Sequence, residues 1–181
     1  MRVIAGKARS MPLVCPRGDG TRPTTDRIKE TLFNMLQCDV PGSVFVDLFA
    51  GSGAVGIEAL SRDAKHAYFV DNSKEALECI KKNVNFTKLA DDATIISRDV
   101  RDALFEIKEK ADIIFMDPPY SLGIEKEVMG LLARASVVDE YTIIIIEADI
   151  NNDLSDICNL GFEITKEKLY KTNKHVFFKK A

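Results

Sequence analysis

Apolar residues fall along this chain in short runs, separated by longer stretches of helical spacing. The run at 44–48 reads as a strand, followed by a glycine-bearing loop and a helix over about 54–62. The pattern then repeats. Strands are expected at 67–70, 94–96, 113–116 and 142–146, and helices at 73–86, 100–108, 124–134 and 151–159. In the helix at 73–86, Ala76, Leu77, Ile80 and Val84 share one face, and the charged residues of 73–88 form a solvated one. The segments 162–170 and 175–179 are strands with no helix between them, an antiparallel pair turning near Thr172 and Asn173. Strands alternating with helices imply βαβ units. The expected fold class is therefore α/β, a Rossmann-like doubly wound sheet of seven strands, mainly parallel, with an antiparallel C-terminal strand.

The first forty residues are of a different make. Extended pieces near Val3 and Ile4 and near Leu13 and Val14 are expected to form a hairpin. Thr25 is a candidate N-cap for a helix in which Ile28, Leu32, Phe33, Met35 and Leu36 recur at helical spacing, ended by Pro41 and Gly42. The chain of 181 residues is expected to be one domain, with 1–40 as a basic extension. The longest purely apolar run, Ile143 to Ile146, is too short to span a bilayer, and no signal peptide is expected. Four scattered cysteines and two histidines give no metal-ligand spacing, so no metal site is expected and a reducing cytoplasm is. His66 and His175 are read as surface residues.

A net charge of −3 argues against nucleic acid, but its distribution argues otherwise. Residues 1–30 carry seven basic side chains (Arg2, Lys7, Arg9, Arg17, Arg22, Arg27, Lys29) against Asp19, Asp26 and Glu30, a net of +4 that leaves −7 elsewhere. A basic arm on an acidic body is a plausible phosphate-binding footprint.

Gly51, Gly53 and Gly56 follow the first strand of the alternation with G-x-G-x-x-G spacing, and Asp71 ends the next strand twenty residues after Gly51. Glycines allow a tight turn and close approach of a ligand, and a strand-end carboxylate can hold a ribose diol. This pattern suits both NAD(H) and S-adenosylmethionine. Asp47 tips the balance. A carboxylate four residues before Gly51 repels a pyrophosphate on the helix start but suits the cationic amino end of a methionine moiety. Asp99 ends the third strand, where it can accept from an adenine amino group. The fourth strand ends in Asp117-Pro118-Pro119-Tyr120. Ligands of open α/β sheets lie at such strand ends. The prolines stiffen this corner and leave it only acceptors. Asp117 and the Pro118 carbonyl can take the hydrogens of an exocyclic amino group while Tyr120 stacks on its ring.

These segments, together with Arg2-Val3-Ile4-Ala5-Gly6-Lys7 and Arg22-Pro23-Thr24-Thr25-Asp26-Arg27 with Glu30-Thr31-Leu32-Phe33-Asn34, carry a family resemblance. Over essentially its whole length the chain resembles the bacterial methyltransferases that modify the exocyclic N2 of a guanine in 16S ribosomal RNA. The resemblance implies a class I methyltransferase fold with S-adenosylmethionine as donor. It assigns Asp47, Gly51, Gly53, Asp71 and Asp99 to the cofactor, with Phe49 and Asp117 beside it, although a core role for Phe49 is equally open. It assigns Asp117, Pro118 and Tyr120 to catalysis on a flipped base. The basic residues Lys7, Arg9, Arg22 and Arg27, with Thr24 and the stacking Tyr120, are read as the RNA contacts, against the alternative of plain solvated charge. The partner implied is 16S ribosomal RNA, within a small-subunit particle or assembly intermediate, met by a monomer without membrane contact. Asp71 stands where the family commonly has Glu, and the turn at 171–174 has no clear match. The alternatives are an adenine-N6 methyltransferase on DNA or RNA, an NAD-dependent oxidoreductase, and a catalytically silent RNA-binding factor.

Overall fold

A computed structural model describes residues 1–16, 26–119 and 123–181. Seven strands form one sheet in the order β3-β2-β1-β4-β5-β7-β6. Strands β1 (Val44–Leu48), β2 (His66–Asp71), β3 (Ala93–Ser97), β4 (Ile113–Met116) and β5 (Ile143–Asp149) run parallel to their neighbours. Strand β7 (Asn173–Lys180) is antiparallel to β5 and to the outermost strand β6 (Phe162–Leu169). The doubly wound, mainly parallel sheet read from the pattern is what the chain forms. Its central strands are apolar on both faces because helices cover both faces.

Helices α1 (Asp26–Met35), α2 (Ala54–Ser61), α3 (Lys74–Phe86) and α5 (Glu125–Leu132) lie where periodicity puts them, and the charged residues of α3 face solvent. The expectation of Thr25 as N-cap falls outside the described residues. Two expected helices shrink. The one at 100–108 is α4 (Val100–Ala103), closed by tight turns from Phe105 N–H to the Asp102 carbonyl and from Glu106 N–H to that of Ala103. The one at 151–159 is a single 3-10 segment, Ser155–Leu160. Asn151, Asn152 and Asp153 precede it, and the Asp149 and Asp153 side chains cap local turns there in place of a helical start. β5 instead continues to Asp149, paired with Asn173 of β7.

The N-terminal hairpin reduces to one antiparallel bridge, Arg2 with Pro12. Its ladder stops because the next amides turn inward: Ile4 and Ala5 donate to the Glu58 carboxylate at 2.8 and 3.0 Å. Glu58 lies on α2, fully buried, and also binds Lys29 at 3.2 Å and Arg62 at 2.8 Å. Four donors on one carboxylate compensate its removal from water. Gly6 completes the docking. Its φ is +79°, and a Cβ there would lie 1.7 Å from the Ser61 carbonyl oxygen. The arm and α1 thus cover the outer face of α2, every residue of which is buried. Lys29, one of the seven basic residues of the arm, is fully buried and contributes nothing to a surface footprint. On the opposite face, α4, α5 and the 3-10 segment pack over Val46, Leu48, Ile114, Met116, Ile144 and Ile146. The site lies where the parallel strands end, at the seam between these two layers.

Candidate active site

The loop after β1 is built tightly. Phe49, half-buried, takes a φ of +68°, a conformation that costs a bulky residue about 1–3 kcal/mol. Gly51 and Gly53 follow at φ +55° and +76°. The loop is tied to β2 by the Ala50 N–H on the Val70 carbonyl (2.9 Å) and the Gly51 N–H on Asp71 Oδ2 (2.8 Å). Gly56 has another reason to be glycine: a Cβ would meet the Phe69 ring at 2.4 Å. Asn83 of α3 then bridges the loop to the N-terminal arm, donating to the Ser52 carbonyl and exchanging two hydrogen bonds with the Val14 backbone.

Four acids end or follow the first four strands, and they differ in what they touch. Asp47 is 2 % exposed and accepts the Gly56 N–H at 3.0 Å, inside the first turn of α2. Burial raises its pKa to about 7, with the Asp71 charge adding to the rise and the Gly56 bond opposing it. A pyrophosphate at this helix start would have to share it with that carboxyl, which counts against a dinucleotide. Asp71 uses one oxygen on Gly51 and the other on the Ser73 N–H (2.8 Å), keeping lone pairs free toward the strand end. Asp99 caps α4 by accepting the Arg101 N–H at 3.0 Å and pairs with the Arg101 guanidinium at 3.1 Å.

Asp117 is different. It follows β4, and among the described residues its carboxyl has no hydrogen-bond partner. Burial, then Glu147, then Asp47 push its pKa well above the usual carboxylate range. An acid in that setting favours ligands that bring positive charge or polar hydrogens. Pro118 beside it is buried. Tyr120, Arg22 and Thr24 fall outside the described residues. Lys7, Arg9 and Arg27 are exposed, with Lys7 held by Asp63 at 2.8 Å.

His175 corrects an expectation. It is fully buried, not at the surface, because the C-terminal hairpin crosses over and places β7 inside the sheet. Its Nε2 lies 3.1 Å from Glu147 Oε2 and its Nδ1 3.1 Å from the Tyr170 hydroxyl. Glu147 also accepts from Asn173. His66 is half-buried, its Nε2 2.8 Å from the Thr94 hydroxyl. Glu147 carried a signal in the sequence, as the one acid directly after the apolar run 143–146, the same mark that singled out Asp117.

The family model "Conserved hypothetical protein 95" matches residues 1–179. The ribosomal RNA small subunit methyltransferase D of Escherichia coli K12 is 34 % identical over 157 residues, covering 87 % of this chain and 79 % of that protein. The Haemophilus influenzae protein of the same name is 34 % identical, covering 93 % and 88 %. Among solved structures, a candidate methyltransferase of Escherichia coli, yhhF, superposes with a TM-score of 0.84 at 29 % identity over 99 % of this chain and 97 % of that one. A family match over residues 1–179 and a fold shared with a methyltransferase agree: the chain belongs to the Conserved hypothetical protein 95 family and is a class I methyltransferase.

Proposed function

We propose that the protein transfers a methyl group from S-adenosylmethionine to the exocyclic N2 of a guanine in 16S ribosomal RNA. The observation that carries this reading is the half-buried carboxyl of Asp117, unpartnered among the described residues, beside the buried acids Asp47 and Glu147 at the strand ends. When bound, S-adenosylmethionine supplies an electrophilic sulfonium methyl. Gly51 and Gly53 would let its methionine part approach the loop, Asp47 would face the cationic end, Asp71 the ribose and Asp99 the adenine. Phe49 would lie alongside, held by its strained backbone.

On the substrate side, Asp117 and the Pro118 carbonyl accept the amino hydrogens. Accepting them draws the nitrogen lone pair out of conjugation with the ring. The carboxylate then stabilises positive charge as it develops on nitrogen. Holding both reactants in line contributes on the order of 7–11 kcal/mol in well-oriented model reactions. No strong base is needed, because an alkylated ammonium-type nitrogen loses its proton readily. Tyr120 would stack on the base.

A base within a duplex is unreachable, so the target is unpaired or flipped out. Lys7, Arg9, Arg22, Thr24 and Arg27 would meet the RNA backbone; Met1 and Val14 of the docked arm reach the cofactor loop through Ser52 and Asn83, while Lys7 lies at the other end of α2 beside Ser61 and Asp63. The relatives named for small-subunit ribosomal RNA support this substrate. We infer further that 1–181 acts as one catalytic unit with 1–40 as its RNA-facing extension, as a monomer in the cytoplasm on an assembling small-subunit particle. Among the described residues no helix is long and apolar enough to cross a membrane. The same corner could hold an adenine N6. Nucleoside mass analysis of methylated product separates the two: N2-methylguanosine supports the proposal, and N6-methyladenosine overturns it.

A further inference from the structure

The C-terminal ends of β4 and β5 and the N-terminal end of the antiparallel β7 place three side chains in one row. Asp117 lies one step past the Met116–Ile146 pair, level with Glu147, and Glu147 is paired with His175. Side chains in such a cross-strand row point to one face, the face that also carries Asp47 two residues before Phe49. Glu147 is 4 % exposed and cannot swing away, since Asn173 holds one oxygen and His175 the other. His175 is in turn fixed by the Tyr170 hydroxyl and by edge-on contact with the Phe115 ring, centroids 6.0 Å apart. Among the described residues, the titratable groups facing Asp117 are Asp47 from β1 and Glu147 from β5, with His175 of β7 and Tyr170 behind Glu147. A network in which, among the described residues, every member but Asp117 has a hydrogen-bond partner is more than core filling.

We propose that Glu147, gripped by Asn173 and His175 and held level with Asp117 on the next strand, is a positioning residue for Asp117: a second acid fixed at that distance opposes ionisation of the Asp117 carboxyl until an electropositive reactant arrives. The idea rests on Asp117 being the acceptor proposed above. Removal of the Asp117 carboxyl from water acts first against its ionisation, and an acid held level with it on the next strand adds to that, because two like charges close together do not both ionise easily. An amino group and a sulfonium at the site reverse the balance and draw out the ionised acceptor. The carboxyl is thus charged only when there is charge to meet.

The test uses Glu147→Gln, which keeps the size and can still accept from Asn173. The sign is fixed by the geometry. Removing the negative charge lets Asp117 ionise at lower pH, so the acidic limb of kcat/KM, which reports the free enzyme, moves down by about one pH unit. Well below the wild-type limb the variant is then faster than wild type, by up to about tenfold. A residue with only a structural role would slow the reaction at every pH. Glu147→Asp retains the charge, and its limb stays above that of Glu147→Gln. Carbon-13 titration of labelled aspartates, with the Asp117 signal assigned by Asp117→Asn, reads the same shift without reference to activity. An Asp117 that titrates in the ordinary carboxylate range in the wild-type protein overturns the inference, even where Glu147→Gln fails to fold. So does a limb or titration unmoved in Glu147→Gln. Turnover of Asp117→Ala is measured alongside. Normal turnover there removes the catalytic role of Asp117, whereas the carbon-13 shift still decides the pairing with Glu147.

Discussion

Asp117 differs from the other strand-end acids in having no hydrogen-bond partner among the described residues, and that difference makes predictions. Asp117→Ala should lower kcat by roughly 10²–10³-fold, the loss seen when one transition-state stabilising group is removed. Affinity for S-adenosylmethionine, read by calorimetry, should change far less. Near-normal methyl transfer by that variant would refute its role. Asp47 predicts a pH effect. Its folded pKa of about 7 lies above the ordinary 3.8, so the folded state binds the extra proton between those values. Stability without ligand therefore falls as pH rises from about 4 to about 7, by on the order of 4 kcal/mol at most. Asp47→Asn should flatten this slope, which urea denaturation at pH 5 and pH 8 measures. An unchanged slope would show Asp47 already ionised at pH 5. The four strand-end acids were legible because each ends or closely follows an apolar run. His175 was not. Its surface reading assumed a terminal hairpin at the sheet edge, and nothing in a two-residue alternation tells an edge strand from an inner one.

The element that organises the site is α2, buried all round by the sheet on one side and the arm on the other. Glu58 is the clamp. Glu58→Ala would leave Lys29 buried without its ion partner and should cost about 3–5 kcal/mol, read by denaturant unfolding. Gly6→Ala should be milder globally but local in effect. A Cβ against the Ser61 carbonyl, at a φ of +79°, forces the arm off α2. Residues 1–16 should then become open to limited proteolysis while cofactor affinity is largely kept. An arm that stays protected would contradict the docking seen here. All seven strands were legible from their apolar runs, as were helices with a clean apolar face such as α3. The helices at 100–108 and 151–159 were overextended for a physical reason. Side-chain acceptors at Asp149 and Asp153, and tight turns after Asp102, offer backbone groups local partners that compete with helix. The hairpin was overextended because Glu58, distant in sequence, takes the amides that a longer ladder would need.

Over the whole molecule, charge is divided between a basic arm and an acidic body. Folding trims the arm: Lys29 is buried, and Arg2 and Lys7 are paired at the surface with Asp26 at 3.0 Å and Asp63 at 2.8 Å. Lys7, Arg9 and Arg27 stay exposed. Replacing Lys7, Arg9, Arg22 and Arg27 together by alanine should weaken RNA binding and reduce the slope of log K against log salt by up to about 3–4, roughly one for each phosphate no longer neutralised. Unchanged affinity and slope would remove the arm from the RNA interface. The methyl-transfer chemistry was readable from the residues themselves. The choice of a guanine in ribosomal RNA rests on family resemblance and relatives, because an acceptor-only corner suits any ring that bears an amino group. One measurement bears on that choice most directly. Small ribosomal subunits from a strain lacking this enzyme are incubated with the protein and tritiated S-adenosylmethionine, and the labelled nucleoside is mapped by mass. A single N2-methylguanosine in 16S ribosomal RNA, lost with Asp117→Ala, is the predicted result. Label on an adenine, or none on the RNA, would contradict it.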